Sequence, residues 1–154
     1  MRAVLTRVKS ASVTVNGKTI GQIGQGFLIL LGITHEDTEA QAVKLADKLV
    51  GLRIFEDEDG KMNRGLETVG GEILVVSQFT LYGNCRKGRR PSFSHAGDPA
   101  WSRGMFERFT RKVSEESGRP VPAGVFGADM RVHLVNWGPV TIWLDSREVL
   151  PHLY

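Results

Sequence analysis

Val4, Val8, Val13 and Val15 stand in a β-branched stretch that ends at Asn16-Gly17. Asn-Gly is the dipeptide best suited to a type I′ turn, so with Thr19-Ile20 through Ile23 returning, the pattern predicts a hairpin. The run Phe27-Leu28-Ile29-Leu30-Leu31 between Gly26 and Gly32 is continuously apolar, as expected of a central strand buried on both faces. Ala42, Leu45, Ala46, Leu49 and Val50 then recur at helical spacing behind Thr38 and Gln41, a capping box, up to Gly51. A second helix should open at Asp98 and Pro99, bury Trp101, Met105, Phe109 and Val113, and close at Gly118.

Between the helices, Arg53-Ile54-Phe55 reads as a short strand and Asp59-Gly60 as a turn before Lys61-Met62-Asn63. Ile73 to Leu81 reads as one strand, apolar in its first half and polar in its second. Alternation in it would put Ser77 and Phe79 on one face and Gln78 and Thr80 on the other unless a bend intervenes. Pro120 to Gly127 is Pro- and Gly-rich and reads as a loop. Met130 to Val135 and Val140 to Leu144 read as two strands separated by Asn136-Trp137-Gly138-Pro139.

Strands outnumber helices, short turns join most of them, and the helices are far apart in sequence. These features predict an α+β, mainly antiparallel fold, a barrel-like sheet with two main helices packed outside. At 154 residues the chain is expected to be one domain, with Ser146 to Tyr154 as a tail.

Composition narrows the setting. The lone Cys85 cannot form an internal bridge, the N-terminal residues lack the apolar core of a secretory signal, and no run is long enough to span a bilayer. A cytoplasmic protein with no membrane partner is expected. A net charge of +3 is too small to argue for a polyanionic partner. Its distribution is more telling: no acid occurs from Thr80 to His95, and Arg86, Lys87, Arg89 and Arg90 cluster beside Gly88 and Pro91. Such a patch suits phosphates, and it equally suits a solvated loop.

His35, His95, His133 and His152 are scattered and no Cys cluster exists, so neither a metal site nor a cofactor is expected. Nucleophile-elbow, P-loop and dinucleotide motifs are missing. Two segments remain as candidate chemistry. Ser77-Gln78-Phe79-Thr80 places hydroxyls and an amide at the end of an apolar strand, where a strand running into solvent has an equal claim. Gly138-Pro139 interrupts two apolar segments, as a hairpin turn would, and glycine also allows close backbone approach.

Together, Ser77-Gln78-Phe79-Thr80-Leu81 and Asn136-Trp137-Gly138-Pro139-Val140-Thr141 closely resemble the two signature motifs of D-aminoacyl-tRNA deacylases, in order and separation. The similarity extends through Arg7-Val8, Arg53-Ile54-Phe55, Lys61-Met62-Asn63, Arg90-Pro91-Ser92-Phe93 and Phe126-Gly127-Ala128-Asp129-Met130, and fades after about Asp145. The resemblance implies a deacylase-like fold and a homodimer with active sites at the subunit interface. The implied reaction is hydrolysis of the ester between a D-amino acid, or mischarged glycine, and the terminal ribose of tRNA. It further implies that Ser77, Gln78, Phe79 and Thr80 form the catalytic pocket. Gly138 and Pro139, joined by a cis peptide, would enter the partner's pocket and exclude L substrates. Phe126 and Met130 would lie beside the terminal adenosine, with Arg7 supporting the Gly-Pro motif and Arg86, Lys87, Arg89 and Arg90 meeting tRNA phosphates. No base is visible near Thr80, so a positioned water is preferred to Thr80 as nucleophile. Two other readings are a non-catalytic RNA-binding module built on the basic patch, and a hydrolase of another ester with Thr80 as nucleophile.

Overall fold

The computed structural model describes residues 1–154. In chain order it comprises β1 (Arg2–Val15), β2 (Lys18–Ile23), β3 (Gly26–Gly32), α1 (Glu39–Val50), β4 (Phe55–Glu56), β5 (Met62–Arg64), α2 (Leu66–Val69), β6 (Glu72–Ser77), α3 (Pro99–Ser117), β7 (Arg131–Asp145) and α4 (Ser146–Val149). Short 3-10 turns cover Phe79–Tyr82 and Pro151–Leu153.

The β1–β2 hairpin forms where the Asn-Gly pair predicts it. Asn16 and Gly17 both take positive φ, 51° and 77°, as a type I′ turn requires. The long β1 organises the sheet: its first half pairs antiparallel with β3, its second half with β2, and its other edge with β7 along nearly its whole length. Placing β2 and β3 in succession along one edge of β1 curls the sheet into a half-barrel. Gly21 of β2 accordingly lies against Leu74 of β6.

The curl divides the core. Phe27, Ile29 and Leu31 of β3 point to a larger cluster shared with α1 and α3, while Leu28 joins Val8, Val13, Leu74 and Val76 inside the curl. That division explains why β3 is apolar at every position. The predicted α+β architecture with two main helices outside the sheet is therefore observed. One pairing departs from the antiparallel rule: β3 and β6 run parallel, because α1 and the small β4–β5 ribbon carry the chain back across the sheet. At this junction Gly26 has φ 156°, and a Cβ there would fall 1.8 Å from Glu72 O, so no larger residue fits.

Helix α1 has its capping box, with Thr38 N donating to Gln41 Oε1 at 2.8 Å. Asp98 Oδ2 caps α3, accepting from Ala100 N at 3.2 Å and Trp101 N at 3.3 Å. The buried stripe of α3 comprises Met105, Phe106, Phe109 and Val113; Trp101, expected in the stripe, is exposed and Phe106 covers the core instead.

The segment after Asp145 is an integral part of the fold. Leu150 is buried, and the α-ammonium of Met1 donates to Asp37 Oδ1 at 2.6 Å and to Ser146 Oγ at 2.7 Å. Burial pulls that ammonium below its usual pKa, against the opposing attraction of Asp37. No helix is long and apolar enough to cross a membrane.

Candidate active site

Strand β6 brings Ser77 to the end of the sheet, where the ladder with β3 stops at Leu31. With no partner strand beyond that point, the backbone closes its own hydrogen bonds. Gln78 N donates to Leu31 O at 2.8 Å, Gln78 leaves the strand at φ −144°, ψ 76°, and Leu81 N returns to Gln78 O at 3.2 Å. The expected strand through Leu81 is thus a strand followed by a 3-10 turn, and simple alternation fails after Ser77. Gly32 permits the bend, since a Cβ there would lie 3.0 Å from Gln78 O.

The turn presents Phe79 and Thr80 outward. Phe79 is 56% exposed and packs edge-on against Phe93 with ring centroids 5.2 Å apart, while Gln78 Nε2 donates to Thr80 Oγ1. Beneath them lies a cavity of about 520 Å³ to which Ser77, Gln78, Phe79, Phe93 and Phe126 contribute. Its far wall is made by His35 and Ser94, joined through His35 Nε2 and Ser94 O at 3.1 Å, and by Asp98 and Ser102 at the start of α3. Thr80 is exposed and does not itself line the cavity, reaching it only through its hydrogen bond with Gln78, and Met130 packs behind the wall against Gly124 and Val76. Phe126 therefore lines the cavity and Met130 does not. The Tyr82 phenol, at the end of the same turn, is pushed far above its usual range by burial, which keeps it protonated. No three His, Cys, Asp or Glu side chains converge where a metal could bind.

Gly138 and Pro139 lie elsewhere. Sequence alone suggests two strands with a break between them, whereas β7 is one strand with an excursion. Thr6 faces Thr141 and Val8 faces Asn136, so Arg7 alone stands opposite Trp137, Gly138, Pro139 and Val140. The Gly138-Pro139 peptide is cis and both residues are exposed. The base of the excursion is closed by Asn136, whose Oδ1 accepts from Val140 N at 2.9 Å and whose Nδ2 donates to Thr141 Oγ1 at 3.0 Å.

Arg7 braces the excursion from below. Only 2% exposed, it donates from Nε to Trp137 O at 3.0 Å and from Nη1 to Ile54 O at 2.8 Å. Its guanidinium also lies 4.5 Å from the centroid of the Trp137 ring, which packs near Phe55 and under Lys9. Trp137 is thereby held in place by two cations and an aromatic ring, an arrangement without a local sequence signal.

The two motifs do not meet within one chain. Ser77 shares a cross-sheet row with Leu31, Ala3 and Leu144, whereas the excursion lies on the row of Arg7, Phe27 and Ile73. Four residues along a strand is about 13 Å, and from β6 to β7 is a further three strand spacings of about 4.8 Å each. The basic residues fall nearer the cavity. Asn84 and Ser92 pair as a bridge, N to O at 2.7 and 2.9 Å, and the intervening loop carries exposed Arg86, Lys87, Arg89 and Arg90, none in an ion pair within the chain. Phe93, just past this bridge, lines the cavity.

With this geometry established, relatives identify the chain. The family model of the D-Tyr-tRNA(Tyr) deacylases matches residues 4–145. The chain belongs to that family. A D-aminoacyl-tRNA deacylase of Thermus aquaticus is 57% identical over 148 residues, 96% of this chain and 97% of its own. One from Desulfatibacillum aliphaticivorans is 56% identical over 147 residues, 96% of this chain and all of its own. A solved structure named c-Myc DNA Unwinding Element Binding Protein superposes with a TM-score of 0.87 at 42% identity, covering 95% of this chain and 99% of its own. A solved structure described as "a probable eukaryotic D-amino acid tRNA deacylase" has the same fold, with a TM-score of 0.83 at 20% identity over 94% of this chain and 98% of its own. The chain is thus a hydrolase of the D-aminoacyl-tRNA deacylase family, and the Ser77-to-Thr80 cavity is its candidate active site. His35, Ser94, Asp98 and Ser102 reach that cavity from distant parts of the chain, and nothing local in the sequence marks them. Asn136 lies inside a recognised motif, but its closure of the excursion depends on which strands pair.

Proposed function

We propose that the chain hydrolyses the ester between a D-amino acid and the terminal ribose of tRNA, in a homodimer whose every active site combines the Ser77-to-Thr80 cavity of one subunit with Gly138 and Pro139 of the other. The observation that carries this reading is the separation of the two motifs across the sheet. The cavity is concave and open, the excursion is rigidly braced and protrudes from a free strand edge, and neither has a counterpart in its own chain. Exposed Leu134, Val135 and Trp143 on that same edge strand supply apolar surface for a second copy. A twofold axis would make such a contact reciprocal and give two equal sites.

Water is the nucleophile in this scheme. Its oxygen attacks the ester carbonyl carbon, the bond to the ribose oxygen breaks, and a proton passes to that oxygen, releasing free amino acid and tRNA. Thr80 Oγ1 is hydrogen-bonded to the Gln78 amide and to no ionisable group, so the work falls to positioning and to backbone donors. The leading N–H groups of the Phe79–Tyr82 turn are unused by its own ladder and suit a developing oxyanion. Thr80, hydrogen-bonded to Gln78, orients rather than attacks. The carbonyls of Gly138 and Pro139 accept from the substrate ammonium, and the backbone forms the wall an L side chain would strike. Enantiomers do not differ in charge or hydrophobicity, so such discrimination must be steric. Glycine has no side chain to exclude and is therefore also a substrate. Phe126 stacks on the terminal adenosine, Arg7 supports the Gly-Pro peptide, and Arg86, Lys87, Arg89 and Arg90 meet phosphates of the acceptor arm.

Subunit complementation tests the shared site. Gly138→Val and Gln78→Ala, each inactive alone on D-tyrosyl-tRNA, are expected to regain about one quarter of wild-type activity when mixed as randomly exchanging dimers. Half the dimers are then heterodimers, and each has one intact site of two. No recovery despite demonstrated subunit exchange would refute the shared site. Equal hydrolysis of D- and L-tyrosyl-tRNA by the unmodified protein would refute the chiral selection.

A further inference from the structure

The His35–Ser94 wall of the active-site cavity has a second side. Behind it lies a cleft of about 340 Å³ that His35 and Ser94 also line, together with Arg2, Glu36, Tyr82 and Arg147. This cleft is polar where the cavity is largely apolar, and two arginines, each lying over an aromatic ring, line it.

Arg2 lies over the ring of Tyr82 at 4.5 Å and near that of Trp143 at 5.4 Å. It donates from Nε to Asp145 Oδ2 at 3.1 Å and from Nη1 to Leu81 O at 2.9 Å. A guanidinium has five N–H donors, so the rest have no acceptor in the chain. Arg147 lies over Tyr154 at 4.6 Å and is paired with Glu36. That pair is exposed, at 54% and 67% of the two side chains, so an incoming anion can displace the carboxylate at little cost. The carboxylates Asp145 and Glu36 are the acids that face the two arginines here.

We infer that this cleft takes the phosphate on the 5′ side of the terminal adenosine, with Arg147 and the free donors of Arg2 as its ligands. The inference rests on the proposed substrate and extends it. The cavity and the cleft share His35 and Ser94, so a nucleotide with its ester beside Ser77 and Gln78 and its base beside Phe126 can set its 5′ phosphate across that shared wall. Planar guanidinium groups stacked on aromatic rings are preorganised for phosphate. The exposed Arg86-to-Arg90 loop is then left for phosphates further along the acceptor strand.

Three esters separate the possibilities: D-tyrosyl-tRNA, the 3′-D-tyrosyl ester of adenosine, and that same ester with a 5′-phosphate. Arg147→Gln is expected to lower kcat/KM about tenfold on the two phosphorylated substrates relative to the bare adenosine ester. Glu36→Gln, which removes the competing carboxylate, should raise kcat/KM on the same two by about twofold to threefold. Both effects should shrink as salt is added. Equal changes on all three esters, or a change confined to tRNA, would overturn the assignment. Failure of the unmodified protein to hydrolyse any of the three would instead sink the proposed reaction itself, so the two failures are distinguishable.

Discussion

The Ser77-to-Thr80 turn lies beside a cavity with walls from β3, α3 and the loop at Phe126, whereas the Trp137-to-Val140 excursion stands on an edge strand with only Arg7 of β1 opposite it and its glycine and proline exposed. The turn is more loosely held: its side chains are partly or fully exposed, its one side-chain hydrogen bond is between Gln78 and Thr80, and Phe79 leans edge-on against the half-exposed Phe93. The excursion is held by Arg7 from below and by Asn136 at its base. A reacting group needs room for substrate, while a group that rejects an enantiomer must not yield. The difference in bracing follows the difference in task.

The largest expected effect comes from disturbing the rigid partner. Gly138 has φ 133°, and a Cβ there would lie 2.6 Å from Val140 Cγ2 and 3.1 Å from Arg7 Nη2. Gly138→Ala should lower single-turnover hydrolysis of D-tyrosyl-tRNA by about a hundredfold, as expected for a displacement near 1 Å. Circular dichroism melting should show the fold intact. A variant that remains fully active would mean the excursion is not part of the site.

Arg7→Lys comes next. It keeps the charge but cannot donate to Trp137 O and Ile54 O together, and an unpaired buried acceptor costs about 1–3 kcal/mol. The expected result is a lower denaturant midpoint together with partial hydrolysis of L-tyrosyl-tRNA, as the wall loosens. A loss of stability with the D/L ratio intact would make Arg7 purely structural.

A charge placed on the free edge, Val135→Asp, should shift the protein to monomer in sedimentation and cost at least tenfold in activity, since one unpaired, desolvated carboxylate costs several kcal/mol at an interface. An active monomer would break the comparison outright, because the two regions would then have no need of each other. The smallest effect is expected from Arg89→Gln with Arg90→Gln. KM for tRNA should rise a few-fold and the log–log salt slope should fall by about one to two. An unchanged slope would return the loop to ordinary solvated surface.

Much of this was legible in the residue pattern, and the reasons are local. Asn16-Gly17 specified the hairpin because only residues tolerant of positive φ fit its turn. Thr38 with Gln41, and Asp98 with Pro99, marked the helix starts because cap geometry is set by neighbours in sequence. The motifs at Ser77 and Gly138 carried the family resemblance for the same reason, as contiguous runs. Three features were not legible. The bend at Gln78 depends on β3 ending at Leu31, the single long β7 depends on β1 pairing across the Gly-Pro excursion, and the parallel β3–β6 pair depends on how the chain crosses back.

The sequence by itself therefore determined the first hairpin, the two main helices with their caps and the identity of the two motifs, since each is decided by residues a few positions apart. Tertiary structure alone decided that Arg7 lies beneath Trp137, that His35 and Ser94 divide a cavity from a cleft, and that the two motifs lie four residues and three strands apart in the sheet. Those relations arise from strand register and curl, and a register is chosen by the summed burial of both faces rather than by any one residue.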